Sequence, residues 1–205
     1  MSGPARRLAT LDLATGNATN VGLLADNFSS LAFTSSGTLY GVTGDGATVP
    51  ETLYTLNKTT AAATLVVALG NGADGEVIAF NPVNGLMYHW SGNSTPLFES
   101  INLTTFAVTP IAQSGAAHGE VFGAVWNAQA GNFFITDIGS QLFTQTTGGA
   151  VTLLGSAAAT DYRGLALIAP PPASGIPTLS QWGLIFLTGF LLFAGAYKLK
   201  SRVTA

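Results

Sequence analysis

The sequence predicts an all-β chain of β-propeller-like repeats, about four blades in a set that is either complete or incomplete, then a Pro-rich linker and one C-terminal transmembrane helix. Three observations carry this expectation. The chain is poor in charge and rich in glycine, a strand pattern recurs about every 44 residues, and a long uncharged run lies just before a basic end.

Charged residues make up 8% of the 205 positions, against about 25% in an average soluble domain. Glycine occurs 25 times, and Thr, Ala and Asn are frequent. Few charges with many small and β-branched residues favour turn-rich sheet over helix. A hydrophobic content of 47% is enough for a core. The net charge of −3 is unevenly spread. Up to Gly175 there are four basic and ten acidic residues, and beyond it only Lys198, Lys200 and Arg202. A mildly acidic body excludes nucleic acid as a partner, which needs a basic face. The absence of Cys excludes disulfides, thiolate metal sites and a Cys nucleophile.

The repeat is visible where Leu53, Leu97 and Leu142, 44 and 45 residues apart, each begin an apolar–aromatic pair. A Thr/Gly/Ala-rich turn and a second strand follow each pair: 63–69, 107–112 and 150–154. Ahead of each pair stand two more short apolar strands joined by a Gly-containing turn, the mark of a β-hairpin. They run from Phe28 to Val42, from Glu76 to Trp90 and from Val121 to Thr136. Four short strands in about 44 residues match the size of a propeller blade. Blades are therefore expected at 27–70, 74–115 and 118–155. A fourth is expected from the two ends, with 162–168 as its innermost strand and the pair 7–13 and 18–24 outside it. Its second strand has no counterpart in the sequence. The pattern resembles bacterial extracellular propeller repeats. The domain spans 1–168 and the linker 169–175, with the tail at 176–205.

From Leu179 to Tyr197 the tail holds nineteen residues without a charge. As a helix that run spans about 28 Å, close to the hydrocarbon thickness of a bilayer. Trp182 and Tyr197 stand near its ends, and Lys198, Lys200 and Arg202 follow. The positive-inside rule puts the C-terminus in the cytoplasm and the β-domain outside, anchored in the inner membrane before processing. The linker, with Pro170, Pro171 and Pro172, is a stiff spacer.

Just before the helix, Ile176, Pro177, Thr178, Leu179, Trp182 and Gly183 form the pattern IPTLxxWG. With the span and basic end behind it, this resembles the IPTL-CTERM sorting domain, a relative of the PEP-CTERM signals of Gram-negative bacteria. The resemblance implies recognition by an exosortase, a membrane-embedded transpeptidase-like enzyme, followed by delivery to the envelope or surface. Pro177 delays the helix and keeps an extended stretch accessible outside the membrane. No apolar stretch follows Met1, so no signal peptide is visible in this chain. The expectation is that the chain is a fragment or begins downstream of its true start.

The two histidines, His89 and His118, lie in different blades and form no readable triad. His89 is expected to be a packed or surface strand residue. A second set stands at the lead-in to each innermost strand: Asp26, Asp74 with Glu76, His118 with Glu120, and Asp161 with Arg163. They recur 48, 44 and 43 residues apart. In a propeller such positions ring one mouth of the central channel. A ring of carboxylates with a His suits a polar ligand or a hard cation such as Ca2+, while turn chemistry alone would also recur there. No cofactor motif is present, and the metal content is not fixed by the sequence. The function expected is non-enzymatic: binding, adhesion or matrix structure at the surface, with a polysaccharide or surface ligand. The alternatives are an exported polysaccharide lyase or hydrolase and a truncated gene product.

Overall fold

The computed structural model describes residues 6–70, 76–92, 96–156 and 162–167. They belong to one unit, Met1–Leu167; the second unit, Ile168–Ala205, lies outside the described residues. That puts the sorting pattern, the expected helix and the basic end outside them too.

Three sheets have the antiparallel form of propeller-like blades. The first blade is β3 (Phe28–Phe33), β4 (Leu39–Thr43), β5 (Thr52–Leu56) and β6 (Ala63–Ala68). The second is β7 (Val77–Asn81), β8 (Leu86–Ser91), β9 (Leu97–Asn102) and β10 (Val108–Pro110). The third is β12 (Val121–Asn127), β13 (Asn132–Asp137), β14 (Gln141–Gln145) and β15 (Ala150–Ser156). Each blade pairs its strands in sequence order. The innermost strands β3, β7 and β12 stand side by side, with β7 between the other two. β1 (Arg7–Leu11) and β2 (Ala18–Leu23) form a separate two-stranded sheet.

The repeating turn chemistry explains the even spacing. Between the third and fourth strands of the first two blades, Asn57 and Asn102 each accept two backbone N–H groups with Oδ1, those of Thr59 and Thr60 and of Thr104 and Thr105. Asp12 does the same for Ala14 and Thr15 in the N-terminal hairpin. A short acceptor side chain thus closes the turn locally. Four residues on, Gly16, Ala61 and Phe106 all take positive φ and donate back to the Asp12, Asn57 and Asn102 carbonyls.

Three apolar layers stack the sheets. Leu8, Leu24, Phe28, Leu39 and Leu56 join the N-terminal hairpin to the first blade. Val42, Leu53, Ile78, Met87 and Ile101 join the first to the second. Trp90, Phe98, Phe133, Ile135 and Phe143 join the second to the third. Trp90 meets Phe98 at 4.9 Å and Phe133 at 5.1 Å between ring centres. Full burial of each such side chain contributes roughly 1.5–3 kcal/mol.

Two features differ from the sequence expectation. A short strand, β11 (Ser114–Gly115), runs parallel to β15 and laces the segment leaving the second blade onto the third. Close approach makes this possible: a Cβ on Gly115 would meet Val151 O at 2.3 Å, and one on Gly149 would meet Ala112 O at 2.2 Å. Tyr162–Leu167, expected as an innermost strand, forms no ladder. It touches β12 through Gly164 N–H, which donates to Phe122 O, and β13 through Thr136 Oγ1, which donates to Tyr162 O. Ile168 is outside the described residues.

Candidate functional site

The first halves of the innermost strands surround a polar cavity of about 460 Å3. Its walls include Ser29 and Ser30 of β3, Val77 of β7, and Val121 to Ala124 of β12, with Arg163 to Leu165 alongside. Arg6, Asn27, Asp45, Glu76 and Glu120 also line it. Arg6 Nε donates to Asn27 Oδ1, and Asn27 Nδ2 donates to the Asp45 carbonyl. The Arg163 guanidinium lies 4.2 Å from the centre of the Phe122 ring, a cation–π arrangement. The second halves of the same strands line an apolar groove instead, with Phe33, Phe80, Pro82, Trp126 and Leu167.

Behind the cavity wall lies a buried ionic network. His89 of β8 stands opposite Glu99 of β9, and its Nδ1 is 2.9 Å from Glu99 Oε1. Its Nε2 is hydrogen-bonded to Glu76 Oε2. Ser91 Oγ donates to the other Glu76 oxygen at 2.7 Å. His89 and Glu99 are 0% exposed and Glu76 1%. Burial drives His89 toward its neutral form, yet the hydrogen bonds to Glu76 and Glu99, and the charges of both, outweigh it and raise its pKa. Glu51, on the first blade, is pushed up by burial and by the nearby charges of Glu76 and Glu99, against the pull of His89.

The register explains why this network belongs to the second blade alone. Thr43, Ser91 and Asp137 end the second strands of the three blades, and their partners on the innermost strands are Phe28, Glu76 by side-chain contact, and Val121. His89 takes the place of Gly41 and Ile135, and Glu99 that of Tyr54 and Phe143. Phe28 and Tyr54 meet edge-on at 5.4 Å above Gly41. Val121, Ile135 and Phe143 pack within the third layer.

The expected site residues part company. Glu76, Glu120 and Arg163 line the same cavity. Asp26 instead closes the 44–51 loop: Oδ1 accepts from Thr48 and Asn27 N–H and Oδ2 from Val49 N–H. Burial raises its carboxyl, but these donors prevail and hold it below the ordinary value. His118 packs 5.8 Å from the Phe143 ring, with Nδ1 on Gly119 O and Nε2 on Gln113 Oε1. Asp74 and Asp161 lie outside the described residues. Among the described residues, no cluster of three or more His, Asp or Glu is arranged to hold a metal ion. Sequence reasoning missed Glu99, Asp45, Arg6 and Phe122. Of these, only Glu99 left a trace, as a charge inside a strand in a chain with few charges.

Comparison with known proteins adds a motif and a fold. Residues 175–196 match the IPTL-CTERM motif. A structural genomics protein of unknown function from Bacteroides thetaiotaomicron is similar in structure, with a TM-score of 0.55 and 19% identity over 72% of this chain and 38% of that one. An auxiliary nutrient binding protein from Bacteroides ovatus is similar too, with a TM-score of 0.53 and 14% identity over 77% of this chain and 39% of that one. The chain thus spans under two fifths of the length of either, and the likeness is one of fold. No curated protein sequence matches the chain. Among the described residues no helix is long and apolar enough to cross a membrane. The chain joins an all-β domain of propeller-like blades to a C-terminal sorting motif, which implies an exported, cell-surface protein and processing by a sorting enzyme.

Proposed function

We propose that this is a surface protein of a Gram-negative bacterium whose propeller-like domain is a non-enzymatic binding or adhesion module. The tail crosses the inner membrane with its basic end in the cytoplasm, until an exosortase-type enzyme cuts near Ile176–Gly183 and releases the domain to the surface. The observation that carries this reading is the sorting motif at 175–196. The ligand is a polysaccharide or another polar surface molecule, held at the polar cavity between the innermost strands. Burial takes the His89 imidazole and the Glu99 carboxylate out of reach of a substrate, so neither serves as acid or base in this reading. Residues 162–167 and the N-terminal hairpin are the inner and outer parts of a fourth, incomplete blade.

The test is to express the chain behind an export leader in a bacterium with and without an exosortase. The β-domain should move from the inner-membrane fraction to the cell surface only when the enzyme is present. The same distribution in both hosts would sink the reading.

A further inference from the structure

We infer that the β-domain rests on a lipid bilayer with one end, the end of its hairpin turns, through exposed apolar side chains. The inference takes the bilayer from the anchor reading above and adds an orientation of the domain on it. In each blade the turn from the first to the second strand and the turn from the third to the fourth lie at the same end, because neighbouring strands are antiparallel. The second halves of β3, β7 and β12 bring these ends together around the apolar groove, where the described residues finish at Leu167. The turn between β1 and β2 lies at that end as well, since Arg6, at the start of β1, lines the polar cavity at the other.

Charge and apolar surface divide between the two ends. Asp26, Asp45, Glu51, Glu76, Glu120 and Asp137 stand in or beside the loops of the cavity end. At the turn end the charged side chains among the described residues are Asp12 and Lys58. Asp12 is taken up by the Ala14 and Thr15 N–H groups. Lys58 donates to Gly37 O and lies 5.9 Å from the centre of the Phe33 ring, so its cation sits on apolar surface as at a bilayer interface. Leu13 and Val83, in two of the turns, are 77% and 79% exposed, the highest values of any large apolar side chain described. Leu11, Phe33, Phe106 and Leu167 are exposed at the same end. Turn chemistry does not ask for them. Phe106 takes a φ of 60°, a left-handed conformation that suits glycine, and Gly16 holds the matching place in the N-terminal hairpin. Exposed apolar side chains with one lysine among them are the make-up of an interfacial surface. Only residues 168–178 separate Leu167 from the uncharged run that begins at Leu179. So short a tether keeps the domain at high effective concentration near the bilayer, and a weak contact is enough to orient it. In that orientation the polar cavity opens away from the membrane.

The sequence has no Cys, so one introduced cysteine can carry a nitroxide spin label at a chosen site. The full chain is labelled at Val83→Cys, Leu13→Cys, Val49→Cys or Thr188→Cys and reconstituted into vesicles of phosphatidylethanolamine and phosphatidylglycerol. Collision with oxygen, set against collision with a water-soluble nickel chelate, reads the depth of each label. The labels at 83 and 13 should lie about 5–10 Å into the boundary between headgroups and acyl chains. The label at 49, in the loop of the cavity end, should stay in water, and the label at 188, within the uncharged run, should lie in the bilayer core. Unchanged thermal melting would show that the labelled chains are folded. Labels at 83 and 13 in water with the label at 188 in the core would overturn the inference and leave the anchor. Labels at 83 and 13 in lipid with the label at 188 in water would uphold the surface contact and remove the anchor. Labels at 83 and 13 shielded from both reagents would assign that end to protein contact, and a label at 49 equally deep in lipid would remove the orientation; either result overturns the inference.

Discussion

The second blade and its neighbours solve one packing problem in opposite ways. On the face each blade turns toward its predecessor, the first places Phe28 and Tyr54 over Gly41, and the third places Val121, Ile135 and Phe143. The second places Glu76, His89 and Glu99 there. The surrounding layer is otherwise apolar, with Ile78, Met87 and Ile101 on the second blade. The difference teaches that fold alone does not require the ionic network. An apolar trio serves the same place twice, whereas buried charge must be fully paired to be tolerated. The network also lies beside the cavity, since Glu76 lines both. Through His89 and Ser91 it holds Glu76, and with it that part of the wall, in place.

Substitutions can break the comparison. His89→Ala leaves two buried carboxylates facing an empty space, and should cost about 3–5 kcal/mol in urea unfolding. Phe143→Ala at the matching place in the third blade should cost a similar 3–5 kcal/mol, but through a cavity. The two are told apart by pH: only the His89 variant should change the pH dependence of stability. Because the folded pKa of His89 is raised above its ordinary 6.5, its contribution is fully present below that value and is lost as pH rises through the folded pKa.

Replacing the whole trio by that of the third blade sharpens the point. The variant Glu76→Val with His89→Ile and Glu99→Phe should be neutral or more stable by about 1–4 kcal/mol. Its unfolding should also lose the pH dependence contributed by His89. A destabilisation comparable to His89→Ala would show that the network is needed for packing itself. In the first blade, a Cβ on Gly41 would stand 2.7 Å from Phe28 Cδ1 and 2.9 Å from Leu56 Cδ1. Gly41→Ala should therefore cost about 1–3 kcal/mol by overpacking, read from the unfolding midpoint. The smallest effect is expected at Glu51, whose raised pKa disfavours the folded state above the ordinary carboxylate range. Glu51→Gln should stabilise at neutral pH by no more than about 0.5 kcal/mol.

Much of this architecture can be read from sequence because turn chemistry repeats with the strands. The Asn57 and Asn102 turns, and Asp12 in the hairpin, mark the same point of the unit. The register of the second blade is harder to read. Aligning Leu97 with Leu53 and Leu142 places Glu99 with Thr55 and Thr144, as an ordinary outward polar residue. In the structure Phe98, opposite Trp90, holds the place of Leu53 opposite Val42, and Glu99 falls on the inward face. A one-residue slip reverses every side chain of a strand, and the apolar pair Leu97–Phe98 gives no way to choose. Bulges add a second ambiguity. They interrupt β3 and β12 near Ser29 and Phe122, so equal spacing pairs Glu76 with Glu120 although Val121 is its counterpart. The cavity was legible only in part, because Arg6 and Asp45 reach it from outside the repeat's strands.

The comparison comes down to the state of one imidazole. Nitrogen-15 NMR of the His89 ring at about pH 7.5, above the ordinary titration range of histidine, tests it most directly. The account predicts that Nδ1 and Nε2 both carry protons, each shared with a carboxylate, Glu99 on one side and Glu76 on the other. A ring with one bare nitrogen at that pH would contradict it, and would make the second blade's interior a neutral polar patch instead of an ionic one.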